Sequence, residues 1–414
     1  MQNSAANLPP IPSPNNRRIA LRITATAERS IRQGHPWLYE NAITKQSHDG
    51  KPGDLAVIFD SQRRFLAIGL YDPTSMIRVR VLHHYKPTII DRSWFAQKIK
   101  AAARIRTALP SNTNGYRLLH GENDGLPGLV IDRYAGSLVM KLYTPAWIPH
   151  LSLLISILLE LLNPTRIVLR LGRGMQRYPE YLYQLTDGVL LFGTPLDGPV
   201  LFLENGIIFE ADLIFGQKTG FFLDQRENRA RVEKISQGKR VLNVFSYTGG
   251  FSVYAARGGA HKVISLDQSQ PALDAARRNF AHNQTNANVA TCHHDIHVGD
   301  AFDLLQNCAQ ARQIFDIVII DPPAFAKRHV EIEKAIAAYQ RLTHLGILLL
   351  AHNGILIQSS CSSRVSPAVF YDAIHKAAKL AGRPLKEIRR TSHALDHPIK
   401  FPEGEYLKCL FASG

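Results

Sequence analysis

Cys361 closes the run Ile355-Leu356-Ile357-Gln358-Ser359-Ser360-Cys361-Ser362-Ser363, an apolar stretch that ends in a thiol set among four serines. A nucleophilic cysteine needs partial exposure and a polar or positive setting to reach its thiolate. Cysteine is also among the most buried residue types, so a plain core thiol is the competing reading. Cys292, Cys308 and Cys409 lack this setting and are read as inert. A second cluster is Phe315-Asp316-Ile317-Val318-Ile319-Ile320-Asp321-Pro322-Pro323-Ala324-Phe325, an apolar strand ending in an acid and two prolines. The prolines stiffen the turn and donate no backbone hydrogen bond, which leaves nearby carbonyls to meet a ligand. A strand that merely stops at prolines is the bland alternative.

The third cluster runs from Val241 to Asp267. An apolar run carrying Asn243 leads into the turn Phe245-Ser246-Tyr247-Thr248-Gly249-Gly250. A small-residue helix over Phe251–Ala256 follows, and then Lys262-Val263-Ile264-Ser265-Leu266 ending at Asp267. Strand, glycine turn, helix, strand and terminal acid make the first half of a nucleotide-binding unit. The acid can accept both hydroxyls of a ribose. The G-x-G-x-x-G spacing is absent, so a nucleoside fits better than a dinucleotide. Any doubly wound fold has strand–turn–helix units with glycine, which is the bland reading here. A fourth stretch, Lys218–Arg229, holds Asp224, Gln225 and Arg226 in a dense polar run that could close over a ligand. Its alternative is a solvated helix start capped by Asp224.

These clusters need a scaffold. From about Asp212, apolar strands alternate with helices: 241–244, 263–266, the stretch before Asp300, 317–320 and 354–358. That alternation predicts a parallel sheet covered on both faces, with ligands outside the carboxyl ends of its strands. Residues 17–90 read as a small β domain of short alternating runs, with a helix starting near Glu28. Residues 91–211 read as an α+β linking region. It opens with an amphipathic helix on Trp94, Phe95, Ile99, Ala102 and Ile105 and contains a buried helix over Leu151–Leu162. Residues 1–16, rich in Pro, Asn and Ser, read as a disordered extension, and residues 212–414 as the sheet domain.

The 414 residues carry 49 Lys+Arg against 34 Asp+Glu, a formal net charge of +15, and residues 1–90 hold 12 basic against 6 acidic side chains. A polyanion such as RNA is the natural partner for that excess. With 4 irregularly spaced cysteines and no C-x-x-C pair, neither a zinc site nor a disulfide framework is expected. The N-terminus lacks a secretory apolar core and the Leu151–Leu162 run is too short to span a bilayer, so a soluble, cytoplasmic protein without membrane attachment is expected.

The motifs in their order resemble the bacterial 23S rRNA cytosine-C5 methyltransferases. The resemblance rests on Lys218-Thr219-Gly220 with Leu223-Asp224-Gln225-Arg226, Asn243 through Phe251, Asp321-Pro322-Pro323 with Phe325, and Ser360-Cys361-Ser362. His35-Pro36-Trp37, Gly121–Gly128, Asp396-His397-Pro398 and Phe401–Lys408 extend it over nearly the whole chain. It implies an α/β, Rossmann-like class I methyltransferase domain, preceded by a small β-barrel PUA domain and an α+β linking domain. It implies S-adenosyl-L-methionine as cofactor and RNA, either 23S rRNA or a large-subunit particle, as partner, with a homodimer left open. By position Asn243, Phe245, Tyr247 and Gly249 would line the methionine and ribose side of the pocket. Asp267 would take the ribose hydroxyls and Asp300 would lie near the adenine amino group. Asp224, Gln225 and Arg226 are counted with the cofactor-binding residues, and no metal is expected. Asp321 would face the target base and Cys361 would attack it. The stretch Leu169–Arg177 departs from the family pattern and bears on the target nucleotide.

Carbon 5 of cytosine is too poor a nucleophile to take a sulfonium methyl unaided. Thiolate addition at carbon 6 makes carbon 5 enamine-like, which explains the need for cysteine. Two other readings are carried: an rRNA guanine-N methyltransferase of the same fold, which needs no cysteine there, and a non-catalytic RNA-binding assembly factor that retains the cofactor. A nicotinamide-dependent oxidoreductase has neither the glycine pattern nor a hydride-transfer pair.

Overall fold

The computed structural model describes residues 8–326 and 328–414, which fall into two compact units. The first takes in the chain up to Leu203 with Ala211–Phe221 and Leu395–Phe401. The second takes Glu204–Glu210, Phe222–Ala394 and Pro402–Gly414. Residues 1–7 of the expected extension lie outside the described residues. Residues 8–16 carry no helix or strand, yet Leu8 and Ile11 pack against the first unit's core and Asn15 N–H donates to Asp54 Oδ1 at 2.8 Å. That part of the expected disordered extension is anchored, because its two apolar residues find a surface to cover.

In the first unit, β1 (Ile19–Ile23), α1 (Ala25–Arg32), β2 (Trp37–Tyr39), β3 (Ile43–Gln46), β4 (Leu55–Phe59), β5 (Phe65–Tyr71) and β6 (Ile77–His84) build a six-stranded sheet of order β2-β6-β5-β4-β1-β3. Ile19, Leu21 and Ile23 of β1 point into its core while Ala20 and Arg22 face out, the period-2 alternation of a half-buried strand. The next elements are α2 (Arg92–Arg106), β7 (Gly115–His120), β8 (Leu129–Tyr134), β9 (Ser137–Leu142), α3 (Leu151–Leu162), β10 (Arg166–Leu171) and β11 (Leu190–Gly193). Their strands form a five-stranded sheet, β11-β10-β9-β8-β7, over a large core that also takes in Leu70 of β5 and Leu82 of β6. Helix α2 buries Trp94, Phe95, Ile99 and Ala102 as expected. Ile105 does not join them: it is 38 % exposed, and Arg106 is buried instead. The guanidinium is matched by both Asp124 oxygens at 2.7 and 3.1 Å and by the Asp396 carbonyl at 2.8 Å, so this helix face accepts a charge. Asp396 Oδ2 also accepts from Arg117 N–H at 2.7 Å, and Lys400 N–H donates to Asn123 Oδ1 at 2.7 Å. The motifs 121–128 and 396–398, far apart in sequence, are thus one structural knot. Helix α3 buries Leu151, Leu154, Ile155, Ile157 and Leu158. With the preceding turn it makes an 18-residue apolar run, 56 % of it buried, that would pass for a membrane span on length and composition alone.

A hairpin of β12 (Val200–Glu204) and β13 (Ile207–Ala211) leads on to the second unit's elements. These are α4 (Arg226–Lys234), β14 (Arg240–Val244), α5 (Gly250–Arg257), β15 (Lys262–Asp267), α6 (Gln270–His282), α7 (Ala287–Thr291), β16 (His293–Val298), α8 (Ala301–Gln310), β17 (Phe315–Ile320), α9 (Ile332–Leu348), β18 (Leu350–Ser360), α10 (Pro367–Leu380), β19 (Lys386–Thr391) and β20 (Lys408–Ser413). They form a seven-stranded sheet of order β16-β15-β14-β17-β18-β20-β19. The first five strands are mutually parallel, while β20 runs antiparallel to both β18 and β19. The sheet is therefore not all parallel: the C-terminal segment returns as a hairpin-type edge that needs no crossover helix. The apolar strand expected before Asp300 is instead β16, partly exposed and rich in histidine, as an edge strand can be. Strands are added outward from β14 first on one side, β15 then β16, and afterwards on the other, β17 then β18. The crevice outside the carboxyl end of β14 is thus the sheet's switch point.

Candidate active site

The five parallel strands deliver their following residues to one edge. Asn243 lies on β14 and the turn 245–249 follows it. Asp267 ends β15, Asp300 stands just after β16, Asp321 follows β17 and Cys361 follows β18. Cα registers Val244↔Leu266, Val244↔Ile320 and Ile320↔Gln358 keep these ends level.

The turn after β14 is held in an uncommon backbone. Phe245 (φ 59°) and Tyr247 (φ 48°) are left-handed, a conformation that aromatic side chains rarely adopt and that accumulates at functional sites. The surroundings over-determine it. Ser246 N–H donates to the Leu266 carbonyl at 2.9 Å, Tyr247 N–H to Asp267 Oδ2 at 2.8 Å, and Asn279 Nδ2 to the Thr248 carbonyl at 2.9 Å. Gly249 has φ 75°, and a Cβ there would meet the Ala276 Cβ at 2.8 Å, so glycine is required both for φ and for the approach of α6. Asp267 Oδ1 accepts from Ser269 N–H at 2.9 Å. Each carboxylate oxygen keeps a second lone-pair site, so further hydroxyl donors can still be accepted. Asp300 is exposed and caps α8, its Oδ1 accepting from Phe302 and Asp303 N–H at 2.8 and 3.3 Å.

The polar stretch before α4 makes contacts within the protein. Asp224 is not a helix cap: it lies in a short 3-10 turn, is buried, and accepts from the Tyr406 hydroxyl at 2.8 Å. Gln225 Nε2 donates to Asp321 Oδ1 at 2.9 Å. Asn228 Nδ2 donates to Gln225 Oε1 at 2.6 Å and the Thr391 hydroxyl to Asn228 Oδ1 at 2.7 Å. This relay fixes the plane of the Asp321 carboxyl. Arg226 is buried, with Glu227 as an ion-pair partner at 3.1 Å. Phe325 meets Phe245 edge-on at 6.5 Å, which joins the second sequence cluster to the first.

Cys361 is half-buried, its thiol 3.8 Å from the Pro322 carbonyl. The serines around it brace the turn. Ser360 Oγ shares a hydrogen bond with the Tyr339 hydroxyl at 2.8 Å, and Ser362 Oγ donates to the Ala326 carbonyl at 3.1 Å. Burial lifts the Cys409 thiol to about 12 and the Cys292 thiol to about 11, and it also raises Cys308, as suits unreactive thiols. Several contributors were not singled out from sequence: Asn279, Tyr339, and the hydroxyls of Ser246 and Thr248. Only the last two carried a signal, as polar residues inside a glycine turn.

Residues 117–406 match the S-adenosylmethionine-dependent methyltransferase family, and residues 21–84 match a PUA-like domain. The chain belongs to this methyltransferase family. The match begins in β7, so it extends well ahead of residue 212 and includes most of the five-stranded sheet. Among its relatives are a ribosomal RNA large subunit methyltransferase of Deinococcus radiodurans and a ribosomal RNA large subunit methyltransferase I of Pseudoalteromonas translucida. The first is 47 % identical over 97 % of this chain and 98 % of that one, the second 36 % identical over 94 % and 98 %. A Streptococcus mutans protein described as a SAM-dependent methyltransferase shares the fold, with TM-score 0.80, 22 % identity, and coverage of 95 % of this chain and 100 % of that one. The methyl donor of this methyltransferase is S-adenosylmethionine. Its turn suits that ligand: Asn243 Oδ1, Ser246 Oγ and Thr248 Oγ1 are buried and have no hydrogen-bond partner among the described residues. Each such orphan costs about 1–3 kcal/mol, which a ligand bearing amino, carboxylate and hydroxyl groups would relieve.

Proposed function

We propose that this methyltransferase forms 5-methylcytosine in large-subunit ribosomal RNA through a covalent adduct with Cys361. The observation that carries the reading is a half-buried thiol at the end of β18, beside the Asp-Pro-Pro turn whose acid is oriented by Gln225. A guanine-nitrogen methylase of this fold has no use for that thiol. The names of the relatives support ribosomal RNA as substrate, and the net charge of +15 suits it. So does the exposed pair Arg22 and Lys45, like charges opposed across β1 and β3, an arrangement unfavourable without a polyanion.

S-adenosylmethionine supplies an electrophilic methyl group from its sulfonium. In our reading the turn after β14, with Asn243, Phe245, Tyr247 and Gly249, takes its methionine and ribose side. Asp267 accepts the ribose hydroxyls and Asp300 lies toward the adenine. Asp224 and Gln225 act from behind, by holding the C-terminal segment and Asp321, while Arg226 keeps its place with the cofactor-binding residues. The Cys361 thiolate adds to carbon 6 of the cytosine, the electrons of the 5,6 double bond form a 4,5 double bond, and the displaced C4–N3 pair takes a proton from Asp321 at N3, leaving an enamine whose carbon 5 is nucleophilic. Carbon 5 takes the methyl group. A base then removes the carbon 5 proton, the 5,6 double bond re-forms, the thiolate leaves, and N3 returns its proton to the Asp321 carboxylate.

The test is methylation mapping of ribosomal RNA from cells with and without the gene, together with Cys361→Ala. The expected outcome is loss of one 5-methylcytosine in the deletion strain and no rescue by the variant, with its S-adenosylmethionine binding retained. Rescue by Cys361→Ala, or a lost mark on guanine, overturns the cytosine reading.

A further inference from the structure

Lys408 opens β20 and is 2 % exposed. Its backbone pairs with Ser360 across the antiparallel β18–β20 ladder, and its Nζ donates to the carbonyl of Ser362. The lysine therefore holds the residue before Cys361 through the sheet and the residue after it through the side chain. A second Nζ donor goes to the Tyr406 carbonyl at 3.0 Å. Among the described residues no carboxylate makes an ion pair with this buried nitrogen. A buried ammonium with only carbonyls around it is costly unless another anion is near. Burial lowers Lys408 to about 8, while the charges of Cys361 and Glu405 pull the other way.

Arg364, three residues past the thiol, is exposed to solvent, whereas Lys408 is buried. Tyr339 of α9 touches Ser360, and burial pushes its hydroxyl up to about 12, with Cys361 and Asp321 adding to the rise, so it stays neutral. Asp321, after β17, is an acid and supplies no positive charge to the turn. Lys408 is thus anchored to the residues on both sides of the half-buried thiol.

We propose that Lys408 is the positioning residue that keeps Cys361 as a thiolate, in a thiolate–ammonium pair built into the turn after β18. This rests on the reading of Cys361 as the nucleophile. With Lys408 at about 8 the amine already carries its proton at neutral pH, so the thiol proton leaves to solvent and S⁻ is left beside NH₃⁺. The ammonium remains while the sulfur bonds to carbon 6, and it meets the thiolate again when the product leaves. A purely structural lysine would tie the Ser362 and Tyr406 carbonyls without altering the thiol.

The experiment is the rate of Cys361 alkylation by iodoacetamide in the full-length protein between pH 5.5 and 10, read by peptide mass spectrometry with Cys308 as internal reference. The expected wild-type midpoint lies at least one pH unit below the ordinary thiol value of about 8.5. Lys408→Met should raise the midpoint by at least one unit and slow alkylation at pH 7 about tenfold, with S-adenosylmethionine binding intact by calorimetry. A wild-type midpoint at or above the ordinary value overturns the proposal without any variant. An unchanged profile in a Lys408→Met protein that still binds the cofactor does so as well. Methylation by Cys361→Ala would instead sink the nucleophile reading and leave the alkylation result to decide the Lys408–Cys361 pair by itself.

Discussion

Gln225 separates two roles for the polar stretch ahead of α4. A cofactor ligand would leave its amide turned toward the nucleoside, whereas here the amide is shared between Asp321 and Asn228. Gln225→Leu should therefore lower the methylation rate about tenfold, equivalent to about 1.4 kcal/mol of barrier, with S-adenosylmethionine affinity unchanged. Calorimetry beside single-turnover kinetics checks this, and a loss confined to cofactor affinity would return Gln225 to the cofactor. The same scale explains why one cysteine of four is set apart. Cys361 ends a strand at the switch-point edge beside a carbonyl of the proline turn, while burial raises the thiols of Cys292, Cys308 and Cys409.

At the level of elements, the turn after β14 holds two aromatic residues and one glycine at positive φ. Gly249→Ala combines a disfavoured backbone with a contact of 2.8 Å on α6. We expect about 1–3 kcal/mol of lost stability, seen as a lower denaturant midpoint, with cofactor binding weakened further because the turn itself must shift. Strand β16 offers a pH test. His294 stacks on Phe280 at 3.8 Å and shares a hydrogen bond with Ser265, and burial lowers it from 6.5 to about 4. The folded form favours the neutral ring, so the unfolded chain binds more protons between those values and stability falls as pH drops from 6.5 to about 4. His294→Gln should flatten that part of the curve. An identical acid slope in wild type and variant would show that the ring does not titrate with folding.

For the whole molecule, the basic excess is not all available to RNA. Arg106 and Arg117 are matched by Asp124 and Asp132, and buried Arg80 by Asp72 at 3.4 Å. The exposed Arg22–Lys45 pair on the PUA-like sheet is different, since like charges face each other there. Replacing both by Glu should weaken RNA binding and reduce the slope of log affinity against log salt by about 2. An unchanged slope in fluorescence titrations would move the RNA contact elsewhere. Methylation in the PUA-intact Gln225→Leu protein then reports on chemistry alone, which keeps the two surfaces experimentally separate.

Local chemistry made much of this protein legible from sequence. Apolar runs leading to Asp267, Asp321 and Cys361 announce strands that deliver these residues to one edge of the sheet, because side-chain periodicity is written in adjacent residues. The alternation in β1 and the buried face of α2 are read the same way. What adjacent residues cannot state is which distant group answers a buried charge. Arg106 takes the place expected of Ile105 because Asp124 and the Asp396 carbonyl converge on it. Asp224 serves Tyr406 rather than a helix end, and Gln225 serves Asp321. Lys408 matters because an antiparallel strand brings it back across Ser360. Desolvation makes each of these polar groups seek a partner wherever the fold supplies one. Residue order determined the chemistry on offer, and only the tertiary structure decided which groups meet.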